Sequence, residues 1–283
     1  MKRVIFTGDD FGLAVPVNEG IERAHREGVL TAASLMIGAA ASRDAVERAR
    51  RLPALRVGLH VVLLEGRPVL DPRAVPDLVD AGGEFHTAQW AAGVRFFFLP
   101  RVRRQLEAEI HAQFEAFRAT GLALDHANTH MHMHVHPTVL GLILKVGREY
   151  GLRAVRLPYE PPLVSWRAAR GQPLARFLPW LLLAPWMALV RLRVRRAGMK
   201  YNRYVFGLND SGRMRQELVL GLLRELPEGD SEIYFHPATR RCPELDRHMP
   251  DYAHEAELAA LVDPRVRAAL HESGAISLSF SDL

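Results

Sequence analysis

The sequence predicts an α/β protein built as a distorted, TIM-like (β/α) barrel of mostly parallel strands. Three observations predict it. Short apolar or β-branched runs alternate with helical patterns along the chain. Polar residues able to do chemistry follow four of those runs at their C-terminal ends, where a barrel gathers an active site on one face. The alternative, an open doubly wound sheet, would normally carry a glycine-rich phosphate loop at its switch point, and the sequence has none. With 283 residues, 48% of them hydrophobic and 24% charged, the chain reads as one barrel domain over 1–283 with an apolar and basic insertion at about 160–203.

The first strand is expected at 4–6 and leads to Asp9 and Asp10. Val17, Ile21 and Ala24 mark a helix face that should stop at Gly28. A strand over 31–37 follows, then one at 57–59 that ends at His60. Leu106, Ile110, Phe114 and Phe117 recur at helical spacing, with a stop near Gly121. The stretch 122–127 approaches His130, and Pro137 suits the first position of the next helix. Further strands are expected at 154–157, at 233–235 before His236, and at 276–280. Asp263-Pro264 reads as an N-cap with proline at the first helical position, and Gly274 as the stop.

The lone Cys242 excludes an internal disulfide and multi-cysteine zinc sites, so a reducing compartment suits the chain. The basic start is followed by an apolar run too short for a signal-peptide core. The net charge of +5 favours anionic partners, yet no recognised helix or RNA-binding motif supports a nucleic-acid partner.

Adjacent Asp9 and Asp10 after a buried strand repel each other and are costly to desolvate, so a partner cation is a simple reason for the pair; a capped turn is the plainer one. His60 and His236 each close a strand-like run. Between them, His126, His130, His132, His134 and His136 crowd eleven residues, a density with no evident packing rationale. In an extended chain His130, His132 and His134 share a face, so any of them could be the ligand, although Pro137 favours His130 at the strand end. One carboxylate with two imidazoles leaves open positions for water and substrate, as in a catalytic rather than a structural metal site. A second carboxylate can take a proton from water, and a separate histidine can protonate a leaving amine. Asp10, His60 and His130 fit the metal, Asp9 the base and His236 the acid.

The segments Thr7-Gly8-Asp9-Asp10-Phe11-Gly12, Val57-Gly58-Leu59-His60, Thr129-His130-Met131-His132-Met133-His134 and His236-Pro237-Ala238 resemble the YdjC-like carbohydrate deacetylases. Val94 to Pro100 and Tyr234 to Arg240 resemble more closely the hopanoid-biosynthesis-associated branch of that family. The resemblance implies a distorted barrel, Asp10, His60 and His130 as metal ligands, Asp9 as general base and His236 as general acid. The implied reaction is deacetylation of an N-acetylated amino sugar, in that branch an N-acetylglucosaminyl hopanoid lipid. Gly8 departs from the family's usual alanine. One divalent ion is expected: ligand chemistry points to Zn2+, whereas the family is commonly described with Mg2+. Deacetylation of soluble chito-oligosaccharides and a non-catalytic metal-binding role are the alternatives.

The insertion carries an apolar run at 177–190 followed by Arg191, Arg193, Arg195, Arg196 and Lys200. The run is shorter than the roughly 20 residues a spanning helix requires, and Pro179 and Pro185 are expected to interrupt it, so a transmembrane helix is not expected. The insertion suits instead a peripheral membrane contact through 174–200, with the protein cytoplasmic and at the membrane's inner face. A hairpin packed on the barrel, or a homodimer contact, is the alternative use.

Overall fold

The computed structural model describes residues 1–171 and 173–283. Its strands are β1 (Lys2–Phe11), β2 (Ala32–Leu35), β3 (Arg56–Val61), β4 (Leu124–Thr129), β5 (Ala154–Val155), β6 (Lys200–Tyr201), β7 (Tyr204–Phe206), β8 (Gly229–Phe235) and β9 (Ile276–Ser277). Its helices are α1 (Val15–Glu27), α2 (Ser42–Arg50), α3 (Gln89–Phe98), α4 (Pro100–Ala119), α5 (Pro137–Glu149), α6 (Pro162–Ala169), α7 (Pro173–Arg196), α8 (Gln216–Arg224), α9 (Pro243–His248), α10 (His254–Val262) and α11 (Pro264–Glu272).

The strands form one curled, all-parallel sheet in the order β6-β5-β4-β3-β2-β1-β8-β7, with β9 added beside the start of β1. The two ends of that order are joined by only Asn202 and Arg203, so one extended segment serves β5 with its first half and β8 with its second. The Asn202 side chain stitches the joint, accepting from Leu157 N and donating to the carbonyls of Leu157 and Tyr204. The distorted-barrel expectation is met.

Alternation along each strand decides what the barrel encloses, because successive side chains point to opposite faces. On β1, Val4 and Phe6 join the main core beneath the helices, and Gly8 lies so close to α1 that a Cβ would sit 2.9 Å from Ile21. The other stripe runs from Ile5 at the base through Thr7 to Asp9. Val57, Leu59, Val155 and Ile233 likewise face the helices. Ile5, Ala32, Ala154, Leu278 and Phe280 form a separate apolar plug at the base. Above that plug the enclosed stripe turns polar.

Several expectations are corrected. β1 does not end at residue 6 but continues through both aspartates to Phe11. The last strand is only Ile276–Ser277, after which Phe280–Asp282 makes a tight turn capped by Ser279 and Asp282. β6 and β7 lack the length that periodicity needs and were not foreseen. The insertion is not broken by its prolines: α7 is a continuous 24-residue helix containing Pro179 and Pro185, long and apolar enough by length and composition to cross a membrane. One stripe of it, with Arg176, Met187, Val190 and Val194, is buried against the barrel. Trp186 Nε1 donates to Val135 O at 3.0 Å, Trp180 Nε1 to Tyr159 Oη at 3.2 Å, and Arg176 pairs with Asp210 at 2.8 Å.

Candidate metal and hydrolytic centre

At the C-terminal end of the sheet, Asp10, His60 and His130 bring one potential ligand atom each to within 4.8 Å of one another. Asp10 Oδ1 lies 3.3 Å from His60 Nε2 and 3.3 Å from His130 Nδ1. Two donors each about 2.0–2.1 Å from a tetrahedral ion stand roughly 3.3 Å apart, so the spacing suits a shared cation. Both Asp10 oxygens are buried and accept no hydrogen bond, a costly state for an anion unless a cation sits beside it.

The backbone makes this possible. Adjacent residues on a regular strand face opposite ways, yet Asp9 and Asp10 both serve the mouth. The ladder with β2 slips between Gly8 and Phe11, and Asp10 takes a left-handed φ of 61°. That conformation costs a non-glycine residue roughly 1–2 kcal/mol, least for Asp and Asn.

Asp9 is gripped from the opposite side. Arg156 donates to its two oxygens at 2.5 and 2.9 Å and to both oxygens of Glu232 at 2.9 and 2.7 Å, while Thr7 Oγ1 donates to Glu232 at 2.7 Å. Burial pushes the Asp9 carboxyl up, but Arg156, His60 and His236 outweigh it and hold the group well below the usual range. Asp10 shows the same balance, with His130 and His60 overcoming burial. For His130, burial lowers the pKa, and Asp10 and Glu65 more than reverse it, to about 9.

Asn128 on β4 connects the two halves. Its carboxamide oxygen lies 2.6 Å from His60 Nδ1, and its amide nitrogen reaches Ser34 Oγ at 2.9 Å. In this orientation His60 carries its proton on Nδ1 and turns a free Nε2 lone pair toward Asp10, the tautomer a metal ligand needs. Turned by 180°, the amide donates to His60 Nδ1, and its oxygen accepts from Ser34 Oγ at 2.9 Å and Arg156 Nη1 at 2.9 Å. The second arrangement suits donors and acceptors in the absence of a cation.

His236 follows β8, with Nε2 4.0 Å from Asp10 Oδ2 and its ring 5.0 Å from that of Tyr252. Burial, only partly offset by Asp10 and Asp9, lowers its pKa to about 4. Its backbone is clamped from α10: Glu257 accepts from His236 N at 2.5 Å, and His254 Nδ1 bonds His236 O at 2.7 Å.

The histidine run is not extended. His130–Val135 folds as a tight 3-10 turn, with Met131 and His132 left-handed. The expectation that the crowding lacks a packing reason is corrected residue by residue. His126 lies over Gly58, where a Cβ would be 2.4 Å from its ring, bonds Asp125 and Ser34, and stacks on Phe280. His134 Nδ1 bonds Thr129 Oγ1 at 2.8 Å, His132 Nε2 reaches Tyr234 Oη at 3.2 Å, and His136 packs edge-on against Phe96 and Phe97. His130, rather than His132 or His134, stands beside Asp10.

The centre thus unites all five sequence-predicted residues. Arg156, Glu232, Asn128, Glu65 and Glu257 were missed, although Arg156 and Glu232 announced themselves as charges inside otherwise apolar strand runs.

Known proteins are similar to this chain in sequence and in fold. The family described as YdjC-like protein matches residues 3–272. A protein of Brevibacillus brevis named carbohydrate deacetylase is 40% identical over 157 residues, 56% of this chain and 60% of that protein's length. Another of that name, from Geobacillus stearothermophilus, is 30% identical over 280 residues, covering 98% of this chain and 96% of its own. A crystal structure from Enterococcus faecalis, whose description proposes a cellobiose-phosphate cleavage protein, superposes with a TM-score of 0.77 at 25% identity over 99% of this chain and 98% of that one.

Proposed function

This chain belongs to the YdjC-like family, and from that premise we propose that it hydrolyses the acetamide of an N-acetylated amino sugar, releasing acetate. The observation that carries the reading is the buried Asp10 carboxylate, which accepts no hydrogen bond and stands between His60 and His130, beside a second carboxylate held by Arg156.

Asp10, His60 and His130 would hold one divalent ion, with Zn2+ favoured by the imidazoles and Mg2+ by the family. When bound there, such an ion would supply a Lewis acid for the acetyl carbonyl and lower the pKa of a water. Asp9 is ionised in the resting site and takes the water's proton on an oxygen it shares with Arg156. Arg156 fixes its direction, and proton uptake requires that grip to loosen. His236, across the centre, delivers a proton to the departing nitrogen; because it rests neutral, it must first gain that proton.

The finer substrate in this reading is a lipid-linked sugar, such as an N-acetylglucosaminyl hopanoid, met at the membrane surface through 174–200. An apolar groove of about 280 Å³ supports it, running from His132 past Tyr159 to Trp180, Leu183 and Trp186 of α7. A soluble chito-oligosaccharide would leave that groove unused.

The test is acetate release from both substrates by the purified protein reloaded with Zn2+ or Mg2+. Asp9→Asn should lose nearly all turnover while binding the same single equivalent of metal. Normal turnover by that variant rejects the base assignment, and several metal equivalents per chain without acetate release favour a metal-binding protein.

A further inference from the structure

α3 and α7 present large apolar side chains that no described part of the chain covers. Trp90 is 90% exposed, Phe98 66%, Leu174 81% and Leu182 72%, with Val94, Phe97, Leu178 and Leu181 also open. Scattered apolar residues are ordinary on a surface, but these adjoin. The two helices meet across a groove of about 470 Å³, lined by Trp90, Val94, Phe97 and Phe98 from one and by Leu183 and Trp186 from the other. Leu183 and Trp186 also line the groove that leads to His132, so the exposed face and the barrel mouth are continuous.

Charge sorts in the same way. Residues 161–209 contain nine Lys and Arg and no Asp or Glu, and residues 85–106 contain four Arg and no Asp or Glu. The rest of the chain therefore holds 24 cationic against 32 anionic side chains, so the net positive charge comes entirely from the two segments that bear the apolar face. Arg104, Arg195 and Arg196 are exposed and make no ion pair among the described residues.

We propose that the α3–α7 face docks the protein on the surface of an anionic lipid bilayer, with its apolar side chains in the acyl boundary and the flanking arginines on lipid phosphates. A second copy of the chain is the poorer occupant, because pairing this face with itself would oppose two cationic, acid-free stretches. Lying on the surface, rather than crossing, follows from the stripe of Arg176, Met187, Val190 and Val194 that α7 commits to the barrel. The inference supplies the partner of the enzyme described above without depending on its reaction.

The experiment is co-sedimentation of the full chain with vesicles of neutral phosphatidylcholine and with vesicles containing phosphatidylglycerol. Binding to the anionic vesicles is expected to be at least tenfold tighter and to weaken with salt. Two variants are compared: Trp90→Ser with Phe98→Ser, Leu178→Ser and Leu182→Ser, and Arg195→Glu with Arg196→Glu. Each should lose about tenfold or more in vesicle binding while keeping the wild-type unfolding midpoint and metal stoichiometry. Should the apolar variant misfold, the arginine variant decides alone. The proposal is overturned by a wild-type chain that ignores both vesicle types, by folded variants that bind as the wild type does, or by a solution dimer that the apolar variant dissociates without any vesicle binding.

Discussion

In the barrel mouth, ionisable groups are withdrawn from water: Asp9, Asp10, His60, Arg156 and Glu232 are each no more than 3% exposed. Across α3 and α7 the reverse holds, and tryptophan, phenylalanine and leucine stand in solvent. Both arrangements are unfavourable for a chain considered alone, and in the readings proposed above each would be relieved by a partner of the matching kind, a cation in one and hydrocarbon in the other. The difference lies in tolerance. Buried charges hold one another through short, directional bonds, so each removal exposes the rest, whereas exposed apolar residues contribute separately.

That contrast can be tested from its largest expected effect downward. Asp10→Ala should lower acetate release by about 1,000-fold or more and abolish tight metal binding, measured by turnover and chelator competition. Wild-type metal affinity in that variant would mean the ion sits elsewhere. Arg156→Leu strands Asp9 and Glu232 as buried anions, so chemical denaturation should show a loss of about 3–5 kcal/mol. A loss below about 1 kcal/mol would show the network to be solvated.

Asn128→Ala should weaken metal binding by about 10–100-fold with little change in unfolding midpoint, because the tautomer of His60 loses its acceptor. Unchanged affinity would remove Asn128 from the centre. His130, with its pKa raised to about 9, is protonated at neutral pH, and a cation must displace that proton. Apparent metal affinity should therefore rise about tenfold per pH unit on approach to pH 9 and then level off. A flat profile would contradict the Asp10–His130 pairing. At the small end, Leu182→Ser on the exposed face should change stability by no more than about 0.5 kcal/mol in the absence of lipid.

Legibility of the sequence followed the same divide. The pattern of a strand followed by a polar residue pointed to Asp10, His60, His130 and His236, which the structure brings together because a parallel barrel aligns the ends of its strands. The roles of Arg156, Glu232 and Asn128 were harder to assign: Glu232 and Asn128 lie within strands and Arg156 directly follows β5, so their partners appear only when neighbouring strands are in register. β6 and β7 are two and three residues long, too short for any period to show. The histidine run misled for a related reason, since its left-handed turn at Met131 and His132 sends neighbouring rings to different partners. In α7, prolines suggested breaks that a helix held along one side by the barrel withstands.

The left-handed backbone at Asp10 also limits what that position can become. Glycine, asparagine and aspartate adopt it most readily, and of these only aspartate offers an anion. Glutamate would keep the charge but add the strain, so drift at this site has almost nowhere to go. Anyone grafting the centre onto another barrel would have to transplant the kink before the side chains.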